Sequence, residues 1–140
     1  MTPARILIVD DHAKVREAIR MLLTRHPEYQ ICGEAATAQE AIYRSKEIAP
    51  DVILLDISLP DRSGLEVLPE IRNGSPRSLI LIVSQHDPKH IKPIALSLGA
   101  KGFISKISLC HELVATIEKT LTSNTSDQLE QRIRNGPCDS

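Results

Sequence analysis

Residues 6–12 read ILIVDDH, four branched apolar residues that run straight into two aspartates and a histidine. The apolar run belongs to a longer stretch, RILIVD (5–10), and two others share its character: DVILLDI (51–57) and SLILIVS (78–84). Ile, Leu and Val in sequence, without polar alternation, fit strands covered on both faces, as in a parallel sheet. QICGE (30–34) and GFIS (102–105) are weaker strand candidates. The question raised by the first stretch is why two adjacent carboxylates stand at the mouth of a core.

Helical patterns lie between the strands. Val15, Ala18, Ile19, Leu22 and Leu23 recur at helical spacing, and Pro27 after His26 marks a stop. Ala38, Ala41, Ile42 and Ser45 form a second stripe, with Thr37 as its N-cap and Pro50 beyond its end. A third helix is expected from Ser63–Gly64 to Asn73–Gly74 and a fourth between Asp87 and Gly99. A fifth carries Leu109, Leu113, Ile117 and Leu121. Pro93 falls inside the fourth helix and is expected to break it or delay its start to that point, and Pro69 raises the same issue in the third. Strand–helix alternation repeated along the chain predicts right-handed crossovers and a doubly wound parallel sheet.

At 140 residues the chain has the length of one domain with a real core. A net charge of -1 supplies no global field toward nucleic acid or an anionic membrane. Aromatics at 2% with no Trp argue against a base-stacking surface. No apolar run approaches the ~18 residues of a membrane span, and MTPARILIVDD lacks the features of a secretion signal. Cys32, Cys110 and Cys138 are far apart and without a C-x-x-C pair, which suits reduced thiols and a cytoplasmic protein. Residues 122–140 are polar, with Leu129 and Ile133 their only bulky apolar residues, so the domain is expected to occupy 1–121. The remainder, 122–140, reads as a tail, a truncated linker or a short exposed helix.

Ligands of open parallel sheets bind at the carboxyl ends of the strands. Asp10 and Asp11 end the first strand, Asp56 the third and Ser84 the fourth, while Lys106 follows the fifth, so these side chains should converge. Three carboxylates in one place raise each other's pKa, and a hard divalent cation such as Mg²⁺ removes the conflict. A lysine and a hydroxyl beside it suit phosphoryl transfer, whose catalysis is mostly positioning and charge neutralisation. Asp56 could then serve as a nucleophile that forms an aspartyl phosphate. Taken singly, each residue has a plainer role: an aspartate after a strand as a helix cap, Lys106 as a solvated charge, Ser84 as a turn residue. Joint placement on separate strands is the argument.

ILIVDDH (6–12), DVILLDISLPDRSG (51–64), LILIVS (79–84) and LGAKGFISK (98–106) together resemble the receiver domain of two-component response regulators, over residues 5 to about 121. The DDH ending and ICGEAATAQEA (31–41) are most similar to the NarL/FixJ (LuxR-type) branch. The resemblance implies a flavodoxin-like sheet of five parallel strands in the order 2-1-3-4-5 with five helices. It implies Asp56 as phosphoacceptor and a Mg²⁺ site of Asp10, Asp11, Asp56 and the backbone carbonyl of Ser58. It further implies Lys106 as phosphate partner, Ser84 as switch hydroxyl and Phe103 as switch aromatic, although Phe103 also suits ordinary core packing. The implied partner is a sensor histidine kinase. The output would be altered protein–protein contact, homodimerisation among the forms it could take, from a switch and not an enzyme with turnover.

Departures from the family pattern are Ile107 where many members have Pro, Gln85 where a small residue is usual, and Pro93 in the helix of the usual output face. Gln85 and Pro93 suit the rival reading, a receiver fold used as an interaction module without phosphate, while the intact acidic trio, Ser84 and Lys106 speak against it. A flavin-binding protein is disfavoured by the acidic loop DDHAKV, and an aspartate phosphatase by Ser58 where a second acid is wanted. His86 and His90 have a metal-like spacing, but Pro88 lies between them and no other ligand is near in sequence. His12 adjoins the acidic pair and could tune it, or simply start a helix in solvent. A helix-turn-helix domain is common in the branch, and residues 122–140 do not supply one, so no nucleic-acid contact is expected through this segment.

Overall fold

The computed structural model describes residues 2–135, with side chains through Asn124. The three long apolar runs become β1 (Ala4–Val9), β3 (Val52–Asp56) and β4 (Leu79–Ser84), the last two buried at every position. The weaker candidates become β2 (Tyr29–Ala35) and β5 (Gly102–Ser105). Helices α1 (Ala13–Thr24), α2 (Ala38–Ile48), α3 (Gly64–Gly74), α4 (Pro88–Ser97) and α5 (Leu109–Asn135) alternate with them. All strand pairs are parallel and the sheet runs β2-β1-β3-β4-β5, the flavodoxin-like order that the resemblance implies. β2 and β5 are the edges, which explains their weaker apolar signal: each is only partly covered.

Alternate residues of each central strand point to opposite layers. Leu7, Val9, Ile53, Leu55, Ile80 and Ile82 pack beneath α2, α3 and α4 through Ala41, Leu68, Ile71 and Ala95. Ile6, Ile8, Val52, Leu54, Leu81 and Val83 pack beneath α1 and α5 through Ile19, Leu23, Leu113 and Ile117. Full burial of each such aliphatic side chain stabilises the fold by about 1.5–3 kcal/mol. Thr37 caps α2, its hydroxyl accepting from the Glu40 N–H at 3.1 Å, and Ser63 caps α3 by accepting from Leu65 at 3.2 Å.

The expectation that Pro93 breaks or delays the fourth helix is wrong. α4 starts at Pro88, a position where proline favours a helix, and Asp87 caps it by accepting from the Lys89 N–H at 2.9 Å. The helix then runs through Pro93 to Ser97. Pro93 and Lys89 are both exposed, so water can satisfy the Lys89 carbonyl that Pro93 cannot reach. Buried Ala95 and half-buried Ile91 keep the helix on the sheet. Pro69 likewise sits on the exposed side of a continuous α3. α5 continues past 121 to Asn135, so the polar stretch opens as helix, one of the forms expected of it, while residues 136–140, including Cys138, lie outside the described residues. Cys32 and Cys110 are free thiols. No helix among the described residues is long and apolar enough to cross a membrane.

Pro93→Ala restores the missing hydrogen bond and is expected to raise stability by about 2 kcal/mol, the ~3 kcal/mol interior penalty less up to ~1 kcal/mol from a looser unfolded chain. Urea unfolding of the two proteins, compared at equal m-value, checks it.

Candidate functional site

Sheet register brings the chemistry together. Val9 pairs with Leu55, so Asp10 comes level with Asp56. Asp56 pairs with Val83, which puts Ser84 one step beyond, and Ser84 pairs with Ser105, which puts Lys106 one step beyond that. Asp10 and Asp56 are almost fully buried, at 1% and 2% exposure. The Lys106 ammonium lies 2.8 Å from Asp10 Oδ2 and 3.3 Å from Asp56 Oδ2. Apart from that ammonium, neither oxygen has a hydrogen-bond partner. Asp11, more open, joins them through His12, whose Nδ1 is 3.1 Å from Asp11 Oδ1 and from Asp10 Oδ1.

One ammonium among three carboxylates leaves an excess of buried negative charge. Burial pushes the Asp56 carboxyl above its ordinary pKa and the neighbouring Asp10 charge adds to this, while Lys106 and the Ser58 N–H, 3.3 Å from Oδ1, pull the other way. Ligand atoms of Asp10, Asp11, His12 and Asp56 all lie within 4.8 Å of one another, an arrangement that could hold a metal ion. A hard divalent cation fits this donor set, because it would balance the negative charge that one Lys106 ammonium leaves on the buried carboxylates.

The surrounding loops are pinned. The Asp10 N–H donates to the Ala35 carbonyl at 3.0 Å. Its carbonyl accepts from Arg16 at 2.6 Å, and Glu34 holds Arg16 (2.9 Å) and Arg20 (3.3 Å) from β2. Beyond Asp56 the chain turns sharply, with Gly64 N–H bonded to the Ile57 carbonyl at 2.7 Å and Gly64 packed so tightly that a Cβ would overlap the Asp56 carbonyl oxygen. Asp61 in this loop accepts from the Ala38 and Gln39 N–H groups at 2.8 and 3.0 Å, which completes the cap of α2 and holds its carboxyl below the usual range. The Ser58 hydroxyl meets His86 Nε2 at 3.1 Å, joining the loops after β3 and β4.

Among the expected residues, Asp10, Asp11, Asp56 and Lys106 converge directly. Ser84 is fully buried at the end of β4, with its Oγ accepting from the His86 N–H at 3.0 Å. Phe103 is half-buried against the α2–α3–α4 layer, opposite Ile82. Gln85 is exposed, and Ile107 is 88% exposed beside the site. His86 and His90 form no metal group among the described residues. Arg16, Glu34, Asp61 and the Ser58–His86 contact escaped the sequence reading. Arg16 lies six residues from the Asp10 carbonyl it binds, but the other partners are far apart in the chain and only the fold makes them neighbours.

The response regulator receiver domain profile matches residues 6–118. The transcriptional regulatory protein YdfI of Bacillus subtilis (strain 168) is 32% identical over 120 residues, covering 86% of this chain and 56% of YdfI. The nitrate/nitrite response regulator protein NarL of Escherichia coli (strain K12) is 34% identical over 104 residues, covering 74% of this chain and 48% of NarL. A two-component response regulator of the LuxR family from Aurantimonas sp. SI85-9A1 superposes with a TM-score of 0.82 at 38% identity, covering 87% of each chain. The chain belongs to the response regulator receiver domain family. Within it, these relatives are regulators of the NarL and LuxR kind, and the chain spans about half the length of the curated ones. Membership is consistent with phosphorylation-dependent signalling.

Two outcomes follow from the packing and charge. Gly64→Ala should destabilise by about 1–3 kcal/mol, read by urea unfolding, because the backbone at Asp56 must shift. The raised Asp56 pKa means that its stability contribution is fully present below the ordinary carboxylate pKa and is lost as pH rises through the folded value. Asp56→Asn should therefore melt higher than wild type at neutral pH in chelator, and the gap should close as pH falls toward about 4. Paired melting curves across that range check the sign.

Proposed function

We propose that the chain is a cytoplasmic signalling switch that accepts a phosphoryl group on Asp56 from a sensor histidine kinase, with Mg²⁺ as cofactor. The observation that carries this is the buried Asp10–Asp56 pair sharing one lysine, two negative charges against a single positive one. Such a site is unfinished as a structural ion pair and suited to a cation plus a phosphoryl group. An Asp56 oxygen attacks phosphorus, the phosphorus–nitrogen bond of the donor phosphohistidine breaks, and the electron pair leaves with the imidazole. Asp10, Asp11, Asp56 and the backbone carbonyl of Ser58 would hold Mg²⁺, which when bound neutralises charge on the transferred group.

Lys106 turns its ammonium from the carboxylates to a phosphoryl oxygen, and the Ser84 hydroxyl donates to another. Moving Ser84 requires its Oγ to release the His86 N–H, and Phe103 repacks into the space opened in its layer. The output is then a population shift in the face formed by α4 and β5, read by a protein partner or a second copy. Water later hydrolyses the acyl phosphate, so the domain times its own signal and has no substrate turnover of its own. The match covers only 56% of YdfI, a transcriptional regulatory protein, and 48% of the response regulator NarL, so a DNA-binding output through a further domain is part of the same reading.

Intact mass after incubation with a small acyl phosphate tests it. One added phosphoryl group is expected, dependent on Mg²⁺ and absent from Asp56→Asn. Wild type that gains no mass and binds no beryllium fluoride would overturn the reading in favour of a phosphate-independent interaction module.

A further inference from the structure

We propose that His12 is a ligand of the cation site and makes it selective for divalent ions of the Fe²⁺ to Zn²⁺ series over Mg²⁺. The proposal rests on the reading of the acidic cluster as a metal site and adds a nitrogen to its donor set. His12 stands at the N-cap of α1, yet its side chain makes no cap hydrogen bond. N-cap residues usually turn a side-chain acceptor onto the first helical amides, and Ser, Thr, Asp or Asn would serve better here. The ring is directed instead at the carboxylates, with Nδ1 3.1 Å from Asp10 Oδ1 and 3.1 Å from Asp11 Oδ1. The His12 N–H also donates to Asp10 Oδ1 at 2.8 Å, which fixes the residue's backbone against the site.

These separations are those of a coordination shell. Neighbouring ligands around an octahedral cation with ~2.1 Å bonds lie roughly 3 Å apart, and opposite ones roughly 4.2 Å. The four ligand atoms, one from each of Asp10, Asp11, His12 and Asp56, lie within 4.8 Å of one another, so a small inward movement closes them on one ion. Asp10 and Asp56 each bring a buried oxygen that shares the single Lys106 ammonium, and the negative charge left over there is independent of the histidine. The ring is 57% exposed, so an ion can reach it from solvent. Oxygen ligands alone suit Mg²⁺, whereas imidazole suits the borderline ions, and affinity rises from Fe²⁺ through Co²⁺ to Ni²⁺.

Calorimetric titration of the purified chain with Mg²⁺ and with Co²⁺ tests this, for wild type, His12→Gln and Asp11→Asn. Loss of the nitrogen should weaken Co²⁺ about tenfold or more while Mg²⁺ affinity moves less than about twofold, and Asp11→Asn should weaken both. Proton NMR of the Co²⁺ form should show a hyperfine-shifted ring N–H signal that is absent from His12→Gln. Equal effects of His12→Gln on the two ions, or a ring signal that persists without His12, would overturn the ligand assignment and leave the acidic site standing. If wild type binds neither ion, or Asp11→Asn alters neither, the metal site itself falls and the assignment falls with it.

Discussion

Lys106 stands between two buried carboxylates, and one positive charge cannot satisfy both. That imbalance is the constraint around which the molecule is arranged. Burying Asp10 and Asp56 would be untenable without the ammonium, and the ammonium reaches both only because three strand ends finish at nearly one level. Register in a parallel sheet is held by non-alternating apolar residues packed from both sides, so the hydrophobic layers and the charged edge are one design. A slip of one residue in β3 would turn Asp56 away from Asp10 and point Leu55 into the charge cluster.

Around that edge the supporting contacts are polar and long-range. Arg16 and Glu34 fasten the Asp10 backbone to β2. Asp61 fastens the loop after Asp56 to the start of α2, and Ser58 joins that loop to the one after β4. The loops after β1, β3 and β4 are thereby tied to neighbouring elements, which keeps the carboxylates close while their mutual repulsion pushes them apart. Rigid support of this kind is what a site built on charge neutralisation requires.

Much of this could be read from residue order, and the failures have physical causes. Uninterrupted aliphatic runs identified the central strands because burial on both faces removes alternation, and Asp10, Asp56, Ser84 and Lys106 followed from the rule about strand ends. Arg16–Glu34 and Asp61–α2 did not follow, because their pairing depends on β2 lying beside β1 and on the path of one loop. Pro93 misled because an interior proline is judged by the hydrogen bond it removes, and here the freed carbonyl faces water on a helix with a strong start. α5 outran its apolar stripe because extending a formed helix needs only one hydrogen bond per residue fixed, and QLEQRIR (128–134) is rich in good helix formers.

β5 is an edge strand of four residues, hydrogen-bonded to β4 alone, whereas β1 and β3 are each flanked on both sides. The site's anionic half is therefore mounted on the stiffest part of the sheet and its cationic half on the most compliant. Charge arriving from outside meets fixed acids and a yielding base. The element free to follow the newcomer is the one that also carries Phe103, so displacement at the charged edge and repacking in the apolar layer are movements of a single short lever.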